Sequence, residues 1–354
     1  MNSLKNGALW QDNNGCHINA HAGSFLKHDG VWYWYGEHKI AGWEGRLAFV
    51  GVHVYSSTDF RSWNDEGIAL KVSDDPASPI CRGCRIERPK VIYCALTGKF
   101  VMYFHSTDDK HTIAKSGVAV ADFPVGPFEF LYADRPDKGC WPLDVTGADK
   151  DEESIRQATE RNYVINREYD EAFSLNLLGR DFSGGQMSRD QTLFVDDDCK
   201  AYHIYASEQN STLHISLLKE DYLHHSGIFN RAFNRRWMEA PVIFKRKGIY
   251  YLFMSGCTGW YPNAARGAWA ENIMGPWHEI GNPCSGYCSD NDSGVDTTFN
   301  CQGACAVNIG DDIYIMLDRW NMENFIDSRY CLLKVEFPEY GGFVLPWRDY
   351  VFSD

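Results

Sequence analysis

No window of the 354-residue sequence approaches the ~18 consecutive apolar residues of a membrane-spanning helix, so no helical span is expected. The first residues, MNSLKNGALWQDNNG, lack the apolar segment of a secretory leader. Positive charge is scarce: 34 Lys and Arg stand against 48 Asp and Glu, a net charge of −14. Phosphate backbones call for clustered cations, so the expected partner is a neutral or cationic ligand and not nucleic acid. Matched metal spacings are missing as well. Cys81-x-x-Cys84, Cys284-x-x-x-Cys288 and Cys301-x-x-x-Cys305 have no second CxxC or HxxxH at zinc-finger spacing, and read as incidental thiols. Cysteine itself is abundant, with 12 in the chain. Without a visible leader, these cysteines point to free thiols in a reducing, cytoplasmic compartment. Aromatics make up 14% of the residues, with 12 Trp and 19 Tyr, which suits a packed core and not a disordered chain.

The organising feature is an internal repeat. WMEAPVIFKRKGIYYLFMSG, from Trp237, is a strand, a Gly-containing turn and a second, aromatic-rich strand. The same plan recurs in HAGSFLKHDGVWYWYGE from His21, ERPKVIYCALTGKFVMYFHS from Glu87, DQTLFVDDDCKAYHIYAS from Asp190 and QGACAVNIGDDIYIMLDRW from Gln302. Each copy opens on a polar residue. The distance from that residue to the turn is steady, nine from Glu239 to Gly248 and nine from His21 to Gly30. A third strand follows each hairpin: GVHVYSSTDFRSW, SGVAVADFPVGPF, TLHISLLKEDYL, ARGAWAENIMGPW and YCLLKVEF. Two of these end alike, in Gly126-Pro127-Phe128 and Gly275-Pro276-Trp277.

Five such units predict an all-β fold, a five-bladed β-propeller spanning residues 1–354 as one domain. A β-sandwich is the competing architecture, but it does not explain the recurring polar lead. One gap is long. Residues 144–176, charged and with a helix expected around Asp151 to Tyr163, form part of a partly helical insertion at about 138–186, between blades two and three. Loops of this length are usually functional or disordered.

In a propeller the innermost strand of each blade lines the central channel, so the lead residues His21, Glu87, Asp190, Glu239 and Gln302 converge on one rim. The second strand runs back antiparallel and returns Glu37, His105, Ser207, Ser255 and the Asp318–Arg319 pair to the same rim. Acids in apolar surroundings are either paired or functional. As struts between blades they would be neutralised by Arg88, Arg189 and Arg319. As a site, they suggest glycoside chemistry, in which one carboxylic acid protonates the leaving oxygen and a second group works on the opposite face. The acid must stay protonated near neutral pH, and Asp190 beside Glu239 supplies a like charge. Trp260 and Tyr261 in GWYPN are platform candidates for a sugar face, with Trp43 and Trp320 as weaker ones.

With these motifs the chain resembles glycoside hydrolase family 43, over nearly its whole length. The resemblance rests on NAHAGSFLKHDGVWYWYGE, SSTDFRSW, ERPKVIY, SRDQTLFVDDDCKAYHIYASE, MEAPVIFKRKGIYYLFMSGCTGWYPN, GPWHEIGNP and TFNCQGA. It looks most like the branch of exo-β-1,3-galactanases and β-1,3-galactosidases. That resemblance implies a galactose-containing substrate, inversion of configuration, Glu239 as the acid and Asp190 as the group that modulates its pKa. Many members carry an Asp base in blade one, where this chain reads Ala20-His21-Ala22. The galactan-acting branch shares that departure. There a Gln, matching Gln302, is implicated in holding the attacking water, and glutamates matching Glu37 and Glu87 hold the galactose. His21 and Arg319 are further substrate-binding candidates. No cofactor is expected. A channel calcium occurs in some related propellers, but this ring lacks a dense set of oxygen ligands. Other readings are an α-L-arabinofuranosidase or β-xylosidase of the same family, which generally keep the blade-one Asp, or a non-catalytic carbohydrate-binding propeller.

Overall fold

The computed structural model describes residues 4–161, 175–339 and 341–352. Five antiparallel sheets stand around one axis. Blade one comprises His21–His28, Val31–Glu37, Gly51–Ser57 and Asn64–Lys71. Blade two comprises Arg85–Cys94, Lys99–Thr107, Lys115–Ala121 and Glu129–Asp134. Blade three comprises Gln191–Val195, Ala201–Ser207, Thr212–Leu218 and His225–Ala232. Blade four comprises Met238–Arg246, Ile249–Gly256, Arg266–Ala270 and His278–Gly281. Blade five comprises Gln302–Ile309, Asp312–Arg319 and Arg329–Lys334. The inner strands pack on one another in order, and that of blade five returns to that of blade one, closing the ring.

Apolar side chains fill five wedges, one at each junction between blades. Middle strands are therefore buried on both faces, which is why they read as continuous apolar runs and not as alternating ones. The inner hairpins of blades one and four turn through Asp29–Gly30 and Lys247–Gly248, with φ of 48° and 82°, and 48° and 81°. Two successive left-handed residues are what a type I′ turn demands, and glycine at the second position keeps the strain small.

Two features go beyond the three-stranded repeat. Blades one to four carry a fourth, outer strand, more polar than the other three. Its half-exposed residues leave little apolar signal. Blade five has no fourth strand in its sheet. Its open edge is covered instead by the N-terminal segment, where Gly7 N–H donates to Tyr330 O at 2.8 Å and Leu332 N–H donates to Asn6 Oδ1 at 2.7 Å. Covering that edge removes a pairing hazard and joins the start of the chain to its last blade.

The insertion between blades two and three contains a helix at Glu152–Glu160, capped by Asp151, whose side chain accepts from Ser154 N–H. A one-turn helix follows at Leu177–Arg180. The expected helix end at Tyr163 lies outside the described residues. Arg231 of blade three pairs with Asp144 and Asp149, fixing the insertion to the outer strand.

Candidate active site

The polar leads share a backbone device. The inner strands of blades one, two and four each carry a β-bulge just after His21, Glu87 and Glu239. The next residue, Ala22, Arg88 or Ala240, is left-handed, with φ of 49°, 51° and 53°. Bulges bend a strand and re-aim its side chains, and non-glycine residues rarely adopt this conformation without a compensating partner. The partner here is a carboxylate from elsewhere in the ring. Asp318 Oδ2 accepts from Ala22 N–H at 2.9 Å, Glu37 Oε1 from Arg88 N–H at 2.9 Å, and Asp190 Oδ2 from Ala240 N–H at 3.1 Å. In each case an acid of the preceding blade holds the bulge of the next.

The strand register delivers the expected neighbours: Glu37 stands opposite His21, His105 opposite Glu87, Ser255 opposite Glu239 and Asp318 opposite Gln302. Together these elements frame a pocket of about 400 Å³, the size of a small-ligand site. Glu37, Glu87, Asp190, Glu239, Gln302 and Trp260 all line it.

Several of the expected residues are not brought there, among them Trp43, which is exposed and packs on Phe325. His21 is fully buried, with Nδ1 on Asp318 at 2.9 Å, Nε2 on Tyr330 Oη at 3.1 Å, and its ring stacked on Tyr330. With both nitrogens engaged and burial lowering its pKa, it acts as a strut between blades one and five. Tyr261 is 68% exposed and faces an adjoining pocket, past Trp260. Arg319 faces that second pocket too, donates to Phe299 O at 3.0 Å and lies over Trp347. The expected neutralisation of the acids is corrected as well. Arg88 does it for Asp190, at 2.7 Å, whereas Arg189 and Arg319 form no ion pair among the described residues.

The lining acids have contrasting environments. Glu37 is paired with Lys39 at 2.5 Å, and that ammonium lies over Trp260, Trp320 and Phe325. Glu87 takes Arg85 at 3.0 Å and His105 at 2.9 Å. Burial alone would favour its neutral form, but His111, His105 and Arg85 outweigh burial and hold its pKa well below the usual carboxylate value. Glu239 forms no ion pair among the described residues; Asn210 Nδ2 lies at 3.4 Å, Gln302 Nε2 at 3.5 Å, and the Cys257 thiol also hydrogen-bonds with it. Burial first, and then the Asp190 charge, push its pKa up to about 8. At neutral pH it therefore holds its proton.

Gln302 is fixed in orientation. Trp320 donates its indole N–H to Oε1 at 3.1 Å, and Nε2 donates to Ser255 Oγ at 3.2 Å. An indole N–H can only donate, so the oxygen end of the amide is identified by its partner.

Glu87, His105 and His111 bring ligand-type atoms within 4.8 Å of one another. Two imidazoles and a carboxylate already paired with Arg85 do not fit calcium, which takes six to eight oxygens. The 12 cysteines are free thiols.

Other lining residues were not foreseen as site residues, among them Gln209, Asn210, Trp237 and Cys257. Gln209 and Asn210 belong to a run of three left-handed residues, Glu208, Gln209 and Asn210, with φ of 50°, 61° and 67°. The run closes the Ser207–Thr212 hairpin of blade three. Nothing in the sequence SEQNST marks it beyond the tolerance of Asn for that conformation.

A protonated buried acid, a like-charged neighbour and an oriented amide, set in a sugar-sized pocket at a propeller mouth, define a glycoside hydrolase. The chain belongs to glycoside hydrolase family 43. The model of that family, glycosyl hydrolases family 43, matches residues 145–287. A family-43 β-1,3-galactosidase designated BT3683, solved with galactodeoxynojirimycin, is 41% identical over 98% of this chain and 99% of its own, with a TM-score of 0.89. The exo-β-1,3-galactanase 1,3Gal43A of Clostridium thermocellum is 30% identical over 98% of this chain and 65% of its own, with a TM-score of 0.76. That of Phanerochaete chrysosporium, solved with β-1,3-galactotriose, is 27% identical over 98% of this chain and 67% of its own, with a TM-score of 0.77. No curated protein matches the chain.

Proposed function

We propose that the chain is an exo-acting glycoside hydrolase that releases terminal β-1,3-linked galactose from galactan or arabinogalactan chains with inversion. The observation that carries this reading is Glu239, held protonated to about pH 8 by burial and by Asp190. A carbohydrate-binding propeller has no need of a tuned acid. The solved relatives name β-1,3-galactosidases and exo-β-1,3-galactanases, and one holds β-1,3-galactotriose.

Glu239 gives its proton to the glycosidic oxygen as the bond to C1 breaks. A water attacks C1 from the opposite face, oriented by Gln302 Oε1, whose geometry Trp320 sets. An ordinary amide is too weak a base to take the water's proton, so Gln302 acts through its imidic-acid tautomer. In that tautomer the nitrogen keeps one N–H, which still donates to Ser255 Oγ, while its lone pair takes the water's proton and the Oε1–H proton is released to solvent as the amide re-forms. Glu87, held ionised, and Glu37, whose pKa burial raises against the opposing charge of Lys39, accept hydroxyl protons of the galactose. His21 is out of contention as the base because both its nitrogens are engaged. In the free protein Gln302 Nε2 lies 3.5 Å from Glu239 Oε1, far closer than the roughly 6.5–9.5 Å between the carboxyl groups of an inverting pair. Binding of the sugar and its water is therefore expected to draw the two side chains apart.

Proton NMR of β-1,3-galactobiose hydrolysis tests this directly, with α-galactose expected as the first product. Turnover confined to aryl α-arabinofuranoside or aryl β-xyloside, or absent on all three substrates, would overturn the reading.

A further inference from the structure

Besides Glu239, three acids and three cations line the pocket, and two of the acids have their ion partners, Lys39 and Arg85, outside its lining. Each of these acids has its own cation: Lys39 on Glu37, Arg85 on Glu87 and Arg88 on Asp190. Glu239 is neutral. Two cations remain, Arg189 and Lys110, both lining the pocket. Arg189 is 3% exposed. Its Nη2 reaches only neutral oxygens, Gln209 Oε1 at 3.1 Å and the His111 carbonyl at 3.4 Å. Its Nε is buried without any partner, and no carboxylate among the described residues lies within ion-pairing distance. Desolvation of this guanidinium, larger in effect than the more distant acids Glu87, Asp190 and Glu239, pulls its pKa down to about 10. A buried charge lacking a counter-ion is costly, and one that faces a pocket points to a ligand. Lys110 stands exposed on the adjoining loop.

We infer that Arg189 and Lys110 form a subsite for an anionic group, carboxylate or sulfate, carried by the leaving part of the substrate. The placement follows from the left-handed turn. Gln209 binds Arg189, and the next residue, Asn210, donates to the carboxyl of Glu239. This turn links Arg189 to the acid's side of the pocket, where the leaving group lies, while the His111 carbonyl links it to the Glu87 end. With Lys39 and Arg85 counted beside the lining residues, the site carries a local surplus on a chain of net charge −14, so general attraction of anions does not account for it. The inference rests on the galactose-releasing reading and adds a charged substrate class to it.

The test compares kcat/KM on three disaccharides: β-1,3-galactobiose, its analogue with galacturonate as the leaving sugar, and its analogue sulfated on the leaving sugar. A charge-assisted contact should favour at least one anionic substrate about tenfold over the neutral one, and high salt should erode that preference. The better anion identifies the group recognised. Arg189→Gln and Lys110→Gln should each lower the ratio of anionic to neutral kcat/KM. If Arg189→Gln does not fold, Lys110→Gln and the salt dependence still decide. A wild-type ratio of one or less, or a ratio that neither variant changes, would overturn the subsite. Inorganic sulfate should raise Tm in the wild type and do so less in Lys110→Gln. Stabilisation by sulfate without any preference for an anionic substrate would mean an adventitious ion only, and also overturns it. Failure to release galactose from galactobiose would count against the proposed function instead, with the sulfate shift still testing the cationic pair.

Discussion

Glu87 and Glu239 hold equivalent places in blades two and four. Each leads an inner strand, each precedes a left-handed residue at a bulge, and each is more than nine-tenths buried. Their chemistry is nevertheless opposite. Glu87 is ringed by Arg85, His105 and His111 and stays ionised. Glu239 faces an amide, a thiol and the negative charge of Asp190, and stays protonated. The fold makes the position, and the neighbours supplied by adjacent strands make the function. Environments that push two carboxyl pKa values apart separate a proton donor from a group that only accepts.

The sharpest test of this contrast is Glu239→Gln. It should lower turnover of β-1,3-galactobiose by roughly 10²–10⁴-fold, and by less on an aryl galactoside whose leaving group needs no protonation. Equal, mild losses on both would break the assignment. Gln302→Ala should follow with a loss of roughly 10²–10³-fold in kcat, with galactose binding by calorimetry largely kept and added azide restoring some turnover. His21→Asn should leave the acidic limb of the pH profile in place. If it removes that limb, His21 and not Gln302 is the base.

On the ionised side, Glu87→Ala should act mainly through KM, by about 10–100-fold, because a sugar hydroxyl loses a charged acceptor. A loss in kcat alone would place Glu87 in the chemistry and blur the distinction from Glu239. Smaller in size is the effect of Asp190→Asn on pH dependence. The proton donor works only while protonated, so kcat/KM falls as pH rises through about 8. Removing the like charge, and freeing Arg88 beside Glu239, should move that basic limb down by roughly one unit or more. An unmoved limb would leave Asp190 only its bond to Ala240 N–H.

The smallest effect is thermal, and its sign differs between the two acids. The folded pKa of Glu239 lies above its unfolded value, so the native state holds the extra proton and stability falls as pH rises toward about 8. Glu239→Gln should therefore raise Tm at pH 8 and change it less at pH 5. Glu87 has a depressed folded pKa, so its contribution is present above the unfolded value and lost in acid. Glu87→Gln should lower Tm at pH 7, since Arg85 loses its counter-ion. Shifts of the same sign in both variants at neutral pH or above would contradict the contrast.

Much of this was legible in the chain, for identifiable reasons. Five polar leads, each followed by a strand, a hairpin turn and a second strand, specify five blades, because strand period and turn chemistry are local. Glu37, Glu87, Asp190, Glu239 and Gln302 reach the pocket because the register of an antiparallel hairpin follows from its turn, and Trp260 reaches it from the loop between Gly256 and Arg266. Residue type at a lead position did not reveal its role. His21 has the right chemistry for a base, yet Asp318 and Tyr330 occupy both its nitrogens from blade five, some 300 residues away in sequence. The four outer strands escaped notice for want of apolar pattern, and the N-terminal cover on blade five escaped because it joins the two ends of the chain.

The sequence by itself determined the repeat, the ring and the family, since these depend on patterns within 20 residues or so of one another. Only the tertiary structure decided which acid keeps its proton, which arginine has no carboxylate counter-ion among the described residues and which way the Gln302 amide faces. These depend on desolvation and on charges a few ångströms away in space, brought by blades that local pattern does not connect.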